Sequence, residues 1–186
     1  MIAELYSAGQ SVRYLRHRLA REKPRERRQT PRPVADPDAR RIAVHEAGHA
    51  VVCAALGGRV GMIVRHPDNS SGSCHGLIPY AAPLAHHVAF HAAGAAAERY
   101  LLELKNATPS HDDMRLSERV LAGARGPEKA KARRDGEALA ERLIRRHRIT
   151  VERLADRLTE TTLIRGGELA AILKPAQQGQ PQSKRQ

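Results

Sequence analysis

Apolar positions recur at helical spacing along most of this chain, and only two short runs read as strands. Leu5, Val12, Leu15 and Leu19 fall partly on one face of a helix over 3–21, and Pro24, Pro31 and Pro33 make 22–35 a linker. Asp36-Pro37-Asp38 starts the next helix with a cap acceptor, a proline at the first helical position and an acid in the first turn. That helix is expected to run to about Leu56 and stop at Gly57-Gly58. Val60 to Val64 reads as a strand, residues 65–75 as a loop, and 76–80 as a short edge strand because Pro79 cannot donate to a ladder.

Helices follow to the end of the chain. One covers about 84–103, and a turn occupies 104–110. Another starts between Ser110 and Asp113 and reaches Leu121, where Gly123 and Gly126-Pro127 break it. The helix over 128–147 has a face of Ala132, Leu139, Leu143 and Ile144 and a basic opposite side. Thr150 is expected to cap a helix reaching Thr161, with Arg153 where a capping box wants an acid. Gly166-Gly167 separates it from a last helix, Glu168 to Leu173, and the tail from Pro175 to Gln186 reads as disordered. The fold class is therefore mostly α-helical with a small β element. Residues 1–35 form an N-terminal helix and basic linker, 36–174 the main domain and 175–186 a tail.

Composition sharpens this picture. Hydrophobic residues make up 41% of the 186, with one Phe, four Tyr and no Trp, so the core is aliphatic and alanine-rich and suits helix packing. Cys53 and Cys74 lack metal-motif spacing and do not form a disulfide framework, which fits a reducing compartment. No secretory signal is recognisable, and no run approaches the roughly 20 apolar residues of a membrane span. The expectation is a cytoplasmic protein without a membrane partner. The formal charge is +12, and residues 13–32 alone hold nine Lys or Arg against two Glu. Such an arm can attract nucleic acid or another acidic surface, although no aromatic interleaving or nucleic-acid motif accompanies it.

The chemical signal is His45-Glu46-Ala47-Gly48-His49. Histidines at i and i+4 share a helix face and can converge on one zinc ion, while Glu46 lies beside them as a base for a water molecule. A zinc peptidase needs a third protein ligand and one open position. Spacing alone leaves His66, Asp68, His75, Glu98, His111, Asp112 and Asp113 as candidates. The 110–114 cluster is favoured by its place at a helix start, and Glu98 by the frequency of helical glutamate as a third ligand. Gly48, in a helix interior, loses about 1 kcal/mol against alanine, which a close neighbour would explain.

Four stretches carry a resemblance to a known group: Val44 to Val52 around the metal motif, the Val60 to Val64 strand with its following loop, Ala93 to Arg99, and Thr108 to Ser117. Together with Arg165-Gly166-Gly167-Glu168-Leu169 they make residues 38–174 similar to the peptidase domain of the FtsH-type ATP-dependent zinc metalloproteases, peptidase class M41. The resemblance implies a zincin-like fold with His45, His49 and Asp113 as zinc ligands and Glu46 as catalytic base. It leaves Asp112 as a fallback, in a position where the family has Asn, and makes Glu98 an outer partner of a ligating histidine. The chain departs from the group in carrying no ATPase motif, and Arg99 stands where an acid is expected. The implied activity is zinc-dependent hydrolysis of peptides or unfolded segments, alone or with a separate ATPase or adaptor. Oxyanion donors would come from His75, His87 or His91, and a substrate strand would pair along 60–64 or 76–80. A non-catalytic interaction module and a nucleic-acid-associated regulator using the basic arm are the alternatives, and the family's ring assembly does not carry over without its ATPase.

Overall fold

The computed structural model describes residues 36–178; the expected helix over 3–21, the linker and the last part of the tail lie outside them. Asp36 caps α1 (Pro37–Ala55) by accepting a hydrogen bond from the Asp38 amide at 2.9 Å, with Pro37 in the first turn. The chain leaves α1 through Gly57, whose φ of 79° is the left-handed conformation that ends helices. From Ala43 to Ala55 every residue of α1 except His45 is buried, which makes it the central helix.

Three strands form one sheet in the order β2-β1-β3: β1 (Arg59–Arg65), β2 (Gly72–Leu77) and β3 (Leu163–Arg165), both pairings antiparallel. Ile63 stands opposite Cys74 on one side and Ile164 on the other, and Ile63 and Ile164 both point into the core. The pairing corrects two expectations. The strand anticipated at 76–80 instead begins at Gly72, which shortens the loop to a turn at 66–71, because pairing with β1 overrides the polar, glycine-rich local signal. The stretch 60–64 belongs to the middle strand, and β3 covers its second edge from Met62 to Val64.

The remaining helices surround α1. They are α2 (Leu84–Leu101), α3 (His111–Val120), α4 (Gly126–Arg146), α5 (Arg148–Glu160) and α6 (Gly166–Gln177). Gly126-Pro127, expected as a break, forms the first turn of α4, where a proline gives up no hydrogen bond. Thr150 does not cap α5. It is buried inside the first turn, and its amide bonds the His147 carbonyl at 2.9 Å. The last helix runs past Leu173 and through Pro175 to Gln177, because Leu169, Leu173 and Ala176 bury one continuous face. A mostly α-helical domain with a small sheet is thus what the described residues form.

Two contacts hold the frame of the site. A side chain at Gly48 would place its Cβ 2.7 Å from the Ala93 carbonyl oxygen and 2.8 Å from Ala97 Cβ, so glycine is what allows α1 and α2 to cross this closely. Buried Arg65 donates to the Leu158 and Thr159 carbonyls at the end of α5, 3.1 and 3.2 Å away, and to Asn69, which in turn donates to Asp36 at 2.7 Å. A cation at the helix C-terminus satisfies carbonyls with no partner inside the helix, and here it also ties the 66–71 turn to the start of α1. Cys53 and Cys74 are free thiols. Among the described residues no helix is long and apolar enough to cross a membrane.

Candidate metal centre

α1 presents His45 and His49 on the face that looks across at α2 and α3. Each imidazole has its outer nitrogen occupied. His45 Nδ1 lies 2.7 Å from Glu98 Oε1 on α2, and Glu98 is held in turn by Arg41 Nε at 2.8 Å. His49 Nδ1 lies 2.7 Å from the Phe90 carbonyl oxygen. A carbonyl only accepts, and an ionised carboxylate only accepts, so both Nδ1 atoms carry the hydrogen. Once a ring has shed its second proton it turns the lone pair of Nε2 inward, which is the tautomer a metal ligand needs.

Asp113 meets those nitrogens from the first turn of α3. Its Oδ2 is 3.2 Å from His45 Nε2 and 3.4 Å from His49 Nε2. The capping of α3 sets this position. Ser110 Oγ accepts from the Asp113 amide at 3.1 Å, while Asp113 Oδ2 accepts from Ser110 Oγ at 2.7 Å and from the Ser110 amide at 3.3 Å. One ligand atom from each of His45, His49 and Asp113 lies within 4.8 Å of the others, and this is the metal-capable cluster found among the described residues. Two imidazole nitrogens and a carboxylate oxygen are a donor set that suits zinc. Their proximity also requires a positive charge between them, either a shared proton or a metal ion.

Charge coupling in the metal-free protein follows from these distances. Burial works to lower the His45 pKa, but the hydrogen bonds to Asp113 and Glu98 outweigh it and raise the pKa from 6.5 to about 9. Burial likewise works to raise the Asp113 pKa, but His45, His49 and His91 together drive it far below the usual carboxylate range. A raised histidine pKa stabilises the fold fully below the unfolded value and ceases to do so as pH passes the folded one. The metal-free protein should therefore lose resistance to urea between about pH 6.5 and 9, while its zinc affinity climbs over the same interval because His45 must shed a proton to bind. Urea titrations of chelated and zinc-loaded protein across that interval test this. A flat stability profile for the chelated form would contradict it.

Glu46 is 7% exposed beside the cluster, and burial is the main cause raising its carboxyl pKa, with His49 and His45 opposing. The cleft in front of it is a cavity of about 670 Å³, bounded by α1, by Ser70 to Cys74, by Phe90 and His91, and by Ser110, Asp112 and Asp113. β2 is an edge strand, paired with β1 on one side only among the described residues, and its Gly72 to Cys74 segment borders the cavity.

The other candidates separate clearly. His66 and Asp68 are exposed in the turn after β1, His75 is exposed on β2, and His111 is exposed at the first position of α3. Asp112 lines the cleft but is exposed and pairs with Arg115 at 3.3 Å. Glu98 is buried behind His45 rather than beside the Nε2 atoms. Of the three histidines considered as oxyanion donors, His91 lines the cleft, with Nδ1 3.8 Å from Asp113 Oδ1.

Four participants carry no assignment from sequence: Arg41, the Phe90 carbonyl, Ser110 as a partner of Asp113, and Gly94. A Cβ on Gly94 would meet the His45 ring, 2.5 Å from Cε1. Only the Ser-x-x-Asp spacing before α3 is a readable signal among them.

No protein-family model matches this chain, and no curated protein matches it.

Proposed function

We propose that this chain is a zinc-dependent endopeptidase of the FtsH-type class, with residues 36–174 as its peptidase domain. The observation that carries the proposal is the pair of imidazoles held at Nδ1 by Glu98 and by the Phe90 carbonyl, both with Nε2 turned toward one capped carboxylate and with Glu46 adjacent. His45, His49 and Asp113 would hold the zinc. When bound, zinc supplies a Lewis acid that polarises the scissile carbonyl and acidifies a water molecule.

The chain's own residues account for the remaining steps. An extended peptide adds along β2, whose Gly72 to Cys74 segment borders the cleft. This moves the expected pairing edge from 60–64 or 76–80 to 72–77. Glu46, made more basic by its burial, accepts the proton of the attacking water and returns it to the departing amine. His91, which lines the cleft, donates to the oxygen that gains charge. Glu98, anchored by Arg41, keeps His45 from rotating as charge develops. Substrates are peptides or unfolded segments, which the cleft of about 670 Å³ can take in extended form.

Zinc content and cleavage of unfolded casein or a peptide library, measured on wild type and Glu46→Gln, test this reading. Wild type should hold one zinc ion per chain and cleave. The variant should hold zinc equally and cleave about 100-fold to 10,000-fold more slowly. Absence of zinc after metal repletion, or a variant as fast as wild type, would overturn it.

A further inference from the structure

A second cavity, of about 310 Å³, adjoins the cleft and shares His91 and Asp113 with it. Val88 and Ala92 of α2, Pro109, and Met114 of α3 give it an apolar wall. Besides Asp113, its charged lining comes from Glu118 on α3 and from Arg133 and Glu137 on α4. Glu118 is already neutralised, because Lys129 lies 2.7 Å from it and Arg133 pairs with it as well. That pairing also engages Arg133, with one carboxylate shared between two cations. Glu137 is exposed and forms no ion pair among the described residues.

An apolar wall followed by a carboxylate with no direct ion pair suits a long aliphatic stem with a cationic head. An acidic side chain would meet Glu137 directly and find Arg133 already hydrogen-bonded to Glu118. A short apolar one would fill the wall and leave Glu137 unused. We propose that this cavity takes the side chain of a lysine or arginine next to the scissile bond, with Glu137 as the residue that selects it. The proposal builds on the peptidase reading above. Glu137 touches neither the metal ligands nor Glu46, and it determines which peptides react, not how.

The test uses the zinc-loaded full chain and three peptides that differ only in carrying Arg, Leu or Glu at one position, with cleavage sites assigned by mass spectrometry. Wild type should favour the Arg peptide and cut beside the arginine. Glu137→Gln should lower kcat/KM for that peptide about fivefold to tenfold and leave the Leu peptide unchanged. Glu137→Lys should shift the preference toward the Glu peptide. An Arg-to-Leu ratio that stays the same in wild type and Glu137→Gln would overturn the assignment. Binding of the same peptides to zinc-loaded Glu46→Gln, with and without Glu137→Gln, gives a second measurement of selectivity that needs no turnover. If wild type cleaves no peptide, the peptidase reading fails, while the binding ratio still decides whether Glu137 selects a cationic side chain.

Discussion

Asp113→Ala should lower zinc affinity by more than about 100-fold and abolish peptide cleavage, whereas Asp112→Asn should change neither. Loss of an outer partner of a ligand typically reduces affinity about tenfold to 100-fold, and removal of a ligand exceeds that. The carboxylate of Asp113 does two things at once. It faces both Nε2 atoms, and it closes the capping box with Ser110 that begins α3. Its removal also destabilises the helix start by about 1 kcal/mol. Asp112 differs from it by one residue in sequence and entirely in setting, since its side chain is 77% exposed and bonded to Arg115. Competition against a chromogenic zinc chelator measures both variants. Equal loss of zinc in the two would reopen the choice of third ligand.

The second large effect is expected from an alanine far from any ligand in sequence. Gly94→Ala should raise the intrinsic helix preference of α2 by about 1 kcal/mol, yet it should reduce zinc affinity by about 100-fold. The added carbon meets the His45 ring at Nε2, and at Cδ2 and Cε1 2.5 Å away. The ring cannot retreat, because Nδ1 is fastened to Glu98. Overpacking of this kind typically destabilises by about 1–3 kcal/mol. Gly123→Ala is the control, as nothing lies within 4 Å of its added carbon. The paired readout is zinc affinity and urea midpoint. A Gly94→Ala protein that binds zinc like wild type would show that the His45 ring can give way despite its bond to Glu98.

The parts of the site readable in sequence are those set by local geometry. His45 and His49 are one helical turn apart, so their convergence follows from the helix alone. Ser110 and Asp113 lie three apart at a helix start, so a cap can be anticipated there. The meeting of Asp113 with His45 spans 68 positions, and spacing cannot choose it over Asp112 or Glu98. The family resemblance makes that choice instead. The Phe90 carbonyl and the hydrogen of Gly94 are not readable, since a backbone oxygen and an absent methyl leave no side-chain signal. The elements that depart from expectation are those decided by packing: β2 gains residues because β1 needs a partner, Thr150 is helical because it is buried, and α6 passes through Pro175 because Ala176 has a face to fill.

The crossing of α1 with α2 turns on Gly48, which meets Ala93 and Ala97 at its tightest contact, and alanine recurs among the buried residues of both helices. Alanine has no rotamers, so ordering this interface gives up almost no side-chain entropy and offers no alternative arrangement to hop into. The spacing of the two helices is therefore set by main chain against main chain, and the imidazoles inherit their separation from it. Such a scaffold has little volume to lose and none to spare. Mutational tolerance should be lopsided, with trimming harmless where there is nothing to trim and any enlargement transmitted straight to the metal ligands.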